Sequence, residues 1–191
     1  MEPETHPFEP FLPSRAKLLI MGSFPPGKKR WSMDFYYPNL NNDMWRIMGF
    51  LFFGDGNFFL DNSCKNFCRE RICNFLLDKK IALYDTATVI RRPKNNASDK
   101  FLEVVKPADI VGLLRKLPEC RRVMTTGGKA TEIFCRQVNI EEPGVGKFSD
   151  FPFENRILRL HRMPSSSRAY PLAMEKKAAV YESVFRESGM L

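Results

Sequence analysis

The sequence predicts an α/β fold: a parallel sheet sandwiched between helices. Four short apolar runs read as strands buried on both faces, and segments of helical period alternate with them. Small, hydroxyl-bearing and charged residues follow each run, and in such sheets ligands bind beyond the carboxyl ends of the strands. At 191 residues with 43% hydrophobic content, one domain over 1–191 is expected.

The elements follow in order. "MEPETHPFEPFLPS" is acidic and proline-bearing, wrong for a signal peptide, and predicts an extended, loosely ordered lead-in over 1–15 that lies across the domain. "AKLLIMGSF" (16–24) is the first strand and "KKIALYDTATV" (79–89) the second. "CRRVMTTGG" (120–128) is the third and "ENRILRLHRM" (154–163) the fourth. Trp45, Met48, Leu51 and Phe52 form one apolar helical stripe, and Ile110, Leu113, Leu114 and Leu117 another. A short helix follows Gly127 and Gly128, and Met174, Ala178, Tyr181 and Phe185 mark a C-terminal one. No apolar run approaches the roughly 18 residues of a membrane span. A cytoplasmic protein is therefore expected, nucleoid-associated if bacterial.

The formal net charge is +8, which favours a polyanionic partner, nucleic acid first, over a basic surface without a role. Five cysteines are present, three of them (Cys64, Cys68 and Cys73) in "CKNFCRERIC", with the others at Cys120 and Cys135. No CxxC pair occurs, so neither structural zinc nor an iron–sulfur cluster is expected. Buried free thiols are expected instead, with "CKNFCRERIC" read as a packed helix.

Four segments should surround one crevice. "GSFPPG" (22–27) places glycines at both ends of a rigid loop, where main-chain N–H groups can approach a ligand. It is no Walker loop, and a plain tight turn is the alternative. "MPSSSRAY" (163–170) offers hydroxyls and N–H groups to phosphate oxygens, with Arg168 to neutralise charge or probe a groove. A serine-capped turn before the last helix is the alternative. Asp85 ends an apolar strand and is either capped by local hydrogen bonds or aimed into the crevice, where a carboxylate, which only accepts hydrogen bonds, suits an N–H on a nucleobase edge. "TTGGKA" is read as strand-to-helix packing. "FYYPNLNND" (35–43) crowds rings and amides into irregular chain. Tyr36 and Tyr37 offer planar faces for stacking, and Asn39, Asn41 and Asn42 can place water, read a base edge or cap the helix carrying Trp45.

In order and spacing these segments resemble the uracil-DNA glycosylase superfamily, toward its hypoxanthine-DNA and mismatch-specific uracil-DNA glycosylase branches. "GSFPPG" resembles the GSxPG-like first motif, "YYPNLNNDMW" the YYxHPxNxFW-like segment and "MPSSSRA" the LPSTSPA-type last motif. "IALYDTATVIRRP", "VKPADIVGLLRKLP" and "RRVMTTGGKATEIF" are similar to the hypoxanthine branch, and the likeness runs from about Leu18 to Leu172. It implies a three-layer α/β/α sandwich around a four-stranded parallel sheet. It also implies a monofunctional, metal-independent DNA glycosylase without cofactor, flipping a deaminated base (uracil, hypoxanthine or xanthine) out of DNA for base excision repair. The implied partner is double-stranded DNA, with single-stranded DNA left open, and the protein is expected to be a monomer.

The resemblance also assigns roles. Asn42 matches the asparagine that the hypoxanthine branch uses in catalysis, and Ser23 and Phe24 would present main-chain N–H groups to the base. Tyr37 matches the ring stacking on the base, and Asp85 the strand-two position that reads it, with Asn39 beside them. Pro164, Ser165, Ser166, Ser167, Arg168 and Tyr170 match the phosphate-clamping loop that enters the duplex. Three departures stand out. Phe24 stands where other branches place a catalytic Asn or Asp, Asn39 and Leu40 replace a His-Pro pair, and Arg168 replaces a proline. His161 can touch substrate, although strand packing explains it as well. A catalytically weak or inactive nucleic-acid-binding module on the same fold is the other reading. A nucleotide-processing α/β protein is disfavoured by the missing Walker and GxGxxG motifs.

Overall fold

The computed structural model describes residues 2–93 and 102–191. Its main sheet has five strands in the order β3-β2-β6-β8-β7. These are β2 (Leu18–Gly22), β3 (Ile81–Asp85), β6 (Arg122–Thr126), β7 (Phe148–Phe153) and β8 (Arg156–Met163). β3, β2, β6 and β8 run parallel, as expected from the four apolar runs. β7 extends the sheet as an antiparallel edge, joined to β8 by a tight turn with Glu154 at φ 53°.

Successive side chains of a strand point to opposite faces, and that alternation builds three layers here. Leu18 and Ile20 of β2 face α1 (Met44–Phe53), α2 (Arg69–Lys79) and α5 (Met174–Glu187), in a core with Trp45, Ile72, Leu76, Tyr181 and Phe185. Leu19 and Met21 face α3 (Ile110–Arg115) and α4 (Gly128–Val138), in a core with Leu114, Phe134 and Leu160. Each of these four β2 residues is fully buried, which is why the strand reads as an unbroken apolar run.

Three expectations are corrected. The second strand ends at Asp85; Thr86 donates its N–H to the Gly22 carbonyl, and the chain leaves for a separate sheet. That sheet has the order β1-β4-β5, from β1 (Glu4–Thr5), β4 (Ala87–Arg91) and β5 (Glu103–Pro107). The N-terminal segment is no loose lead-in: Glu4 and Thr5 pair with Ile90 and Val89, and Phe11 exchanges main-chain hydrogen bonds with Leu83. The thiols divide. Cys120 and Cys135 are buried, and burial pushes both up to about 11, whereas Cys64 is exposed, Cys68 and Cys73 are half-buried, and α2 starts only at Arg69. Among the described residues no helix is long and apolar enough to cross a membrane.

Candidate active site

The carboxyl ends of β2, β3, β6 and β8 converge on a cavity of about 580 Å³. Its sheet side is made by Gly22 to Pro26, Asp85 and Thr126. Its other side is Tyr37 to Asn39, Asn41 and Asn42, with Ser165 to Ser167 and Ala169 to Pro171. Of the residues singled out from sequence, Ser23, Phe24, Tyr37, Asn39, Asn42, Asp85, Ser165, Ser166, Ser167 and Tyr170 all line it.

On the sheet side, the first loop is tied down from behind. The Ser23 carbonyl accepts from the Ala87 N–H (3.2 Å), Pro25 from the Arg92 guanidinium (2.8 Å) and Pro26 from the Trp31 indole (2.6 Å). The Phe24 ring packs on Ala87, Ile90 and Leu102, so what this residue can offer a ligand is main chain. Asp85 is 5% exposed, and its Oδ2 lies 3.1 Å from His6 Nε2. A Cβ on Gly22 would sit 2.6 Å from Asp85 Oδ1 and 3.3 Å from the Tyr37 hydroxyl. Glycine is therefore what lets carboxylate and phenol converge over the end of β2.

The irregular side is held by main-chain hydrogen bonds rather than by a sheet. Tyr37 adopts φ 51°, an uncommon conformation for a bulky residue, and its hydroxyl meets Thr126 Oγ1 at 3.1 Å. Its neighbour Tyr36 turns into the core instead, donating to the Glu9 carbonyl. Asn39 Oδ1 accepts from the Asn41 N–H, and Asn42 Oδ1 from the Met44 N–H, both at 2.9 Å. The second bond takes the first free N–H of α1 and sets the amide: its oxygen faces the helix, and its NH₂ points away as a donor. Asn42 pairs as a bridge with Ser167, the Asp43 N–H donates to the Ser166 carbonyl (2.8 Å), and the Arg168 N–H to that of Asn41 (3.1 Å). The asparagine segment and the serine loop thus form one unit.

Beneath that unit lies an ion pair. Lys177 on α5 is fully buried, and its Nζ reaches Asp43 Oδ2 (3.0 Å) and the Ser167 carbonyl (2.8 Å). Arg168 Nε donates to Asp43 Oδ1 at 2.9 Å, so this arginine lines a neighbouring depression with Arg46 instead of the cavity. Pro164 does not line the cavity either; it is buried, with its carbonyl accepting from the Tyr181 hydroxyl (2.9 Å). His161 packs against Phe148 on the sheet, away from the cavity, and burial depresses it to about 4.

Three residues escaped sequence reading. Thr126 lay in "TTGGKA", read as packing alone, although a polar pair ending an apolar strand was the signal. Lys177 follows Met174 by three positions and precedes Tyr181 by four, inside the apolar stripe of α5, where a lysine needs a buried partner. Nothing in the opening segment distinguished His6.

This α/β/α sandwich, with its cavity at the carboxyl ends of the parallel strands, matches a uracil-DNA glycosylase-like solved structure in fold. The chain resembles that superfamily in sequence and in structure. It is 26% identical over 182 residues to a hypoxanthine DNA glycosylase from Methanosarcina acetivorans, covering 94% of this chain and 96% of that protein. A solution NMR structure of a protein from the same organism, described as "a putative Uracil DNA glycosylase", shares the fold. Its TM-score is 0.65 at 23% identity, covering 97% of this chain and 98% of that one. No family model matches the chain.

Proposed function

We propose that the protein is a monofunctional DNA glycosylase that hydrolyses the N-glycosidic bond of a deaminated base turned out of DNA into this cavity. The observation that carries the reading is convergence: Tyr37, Asn42, Asp85 and the serine loop, distant in sequence, line one space of about 580 Å³. The 26% identical relative is itself a hypoxanthine DNA glycosylase, which supports the same activity here.

Each group has a task in that reaction. As the bond from C1′ to the base nitrogen breaks, its electron pair leaves with the base, positive charge builds on the sugar, a water oxygen adds to C1′ and the proton that water gives up ends on the departed base. Donors aimed at the departing base lower that barrier. The Asn42 amide, its oxygen engaged by α1, supplies NH₂ donors for the base or the water. The Ser23 and Phe24 main chain serves the base edge, and Tyr37 stacks on its face. Asp85 reads chemistry: deamination converts the ring nitrogen of adenine or cytosine from an acceptor into an N–H donor. A carboxylate attracts the N–H of hypoxanthine or uracil and repels the lone pair of adenine or cytosine; the N1–H of xanthine is already present in guanine, so Asp85 gives no such contrast there. Ser165 to Ser167 grip backbone phosphates, and exposed Lys28, Lys29 and Arg30 add attraction beside the cavity.

Single-turnover reactions on duplexes carrying one uracil, hypoxanthine or xanthine, followed by alkaline cleavage of abasic product, test the proposal. Product is expected in the presence of EDTA, and Asn42→Ala should slow its formation about 10²–10³-fold, the scale of losing one such donor. Tight, salt-sensitive binding with no abasic product would instead assign a non-catalytic binding module.

A further inference from the structure

We infer that His6 is a positioning residue for Asp85, locking one carboxylate oxygen so that the other reads the N–H edge of the base; this rests on the glycosylase reading above. The N-terminal segment delivers His6 to a fixed place. Glu4 and Thr5 pair with β4, the His6 N–H donates to the Thr88 carbonyl (2.8 Å), and Phe11 is bonded to Leu83 five residues later. The side chain is 2% exposed, and its ring lies within 6.0 Å, centroid to centroid, of Phe8, Phe24, Tyr36 and Tyr84.

The hydrogen bonds at both ring nitrogens decide the proton's place. Nε2 faces Asp85 Oδ2 at 3.1 Å. Nδ1 lies 2.8 Å from the Phe8 carbonyl and 3.1 Å from the Phe8 N–H nitrogen. A neutral ring with its proton on Nε2 donates to Asp85 and accepts from the Phe8 N–H. An imidazolium donates to Asp85 and to the Phe8 carbonyl. Only the tautomer protonated on Nδ1 alone fails, because it turns a lone pair on the carboxylate. In both satisfied states Oδ2 is occupied by His6, and the ligand is assigned to Oδ1, which lies over Gly22 beside the cavity. Without His6 the carboxylate loses the contact that fixes its rotation, and the oxygen that reads the base is no longer held in place.

Three measurements test this. In His6→Phe, which keeps a ring within the aromatic cage, single-turnover excision should fall about tenfold, the loss expected for one hydrogen bond to a charged group. Affinity for a duplex containing an abasic-site analogue should stay unchanged, and His6→Gln, which keeps a donor, should recover most of the rate. In an Asp85→Asn background His6→Phe should have little further effect, because the two act as a unit; an equal loss there overturns the inference. The chain has two histidines, so imidazole ¹⁵N spectra at neutral pH are readily assigned by the signal missing from His6→Phe. A proton-bound Nε2 whose resonance moves in Asp85→Asn supports the pairing, and a bare or unmoved Nε2 overturns it. Should the wild type excise no base while that resonance moves, the glycosylase reading fails and the His6–Asp85 pair stands.

Discussion

The two sides of the cavity are built by different physics. The sheet side is the end of four parallel strands whose cores lie on both faces, so Gly22, Asp85 and Thr126 inherit their positions from the sheet. The opposite side, Tyr37 to Asn42 and Ser165 to Ser167, has no regular structure. It is held by a short main-chain bridge and by one buried lysine beneath it. Geometry that a sheet supplies through many weak contacts is supplied there by a few strong ones, which single substitutions can break.

The largest effect should therefore come from Lys177→Met. It leaves the Asp43 carboxylate, 3% exposed, without its buried partner, and removing one member of such a pair costs about 3–5 kcal/mol. Urea unfolding measures this, and Asp43→Asn combined with Lys177→Met should recover part of it. If Lys177→Met alone is neutral, the irregular side is held by something else.

The sheet side carries its own weak point at His161, remote from the cavity. Burial lowers its folded pKa to about 4, so the unfolded chain binds more protons between the two values. Stability is then full above about pH 6.5 and falls as the pH drops toward 4, by a total on the order of 3 kcal/mol. Unfolding at pH 7.5 and pH 4.5 should show a smaller acid loss in His161→Phe than in the wild type.

Gly22→Ala probes where the two sides meet. The new Cβ would lie 2.6 Å from Asp85 Oδ1, and Asp85 cannot swing away without breaking its bond to His6. Overpacking of this kind costs about 1–3 kcal/mol. Excision should suffer more than stability, because the displaced atom is the one assigned to the base. A fully active Gly22→Ala would detach Asp85 from the reaction.

The same division explains what could be read from sequence. The four parallel strands stand out because burial on both faces makes them continuous apolar runs, and the stripes of α1 and α3 carry the helical period. Tyr37, Asn42 and the three serines stood out because rings, amides and hydroxyls crowd irregular chain there, and the structure brings them to one cavity. β7 was not, because "FSDFPF" is an edge strand with a proline and exposed positions, and such strands need little apolar patterning. The break after Asp85 is hidden because Thr86 and the alternation of Ala87 to Ile90 continue a strand-like pattern while the chain changes sheet. His6 and Lys177 act through partners 79 and 134 residues away, and no local pattern encodes a contact of that range.

The most direct test of the central claim is a crystal structure with a duplex holding 2′-fluoroarabino-hypoxanthine, whose glycosidic bond resists cleavage. The account predicts the base outside the helix, its face on Tyr37, its N1–H on Asp85 Oδ1 and Asn42 Nδ2 within reach of the sugar–base bond. A base still stacked in the duplex, or a backbone phosphate occupying the cavity in its place, would contradict it.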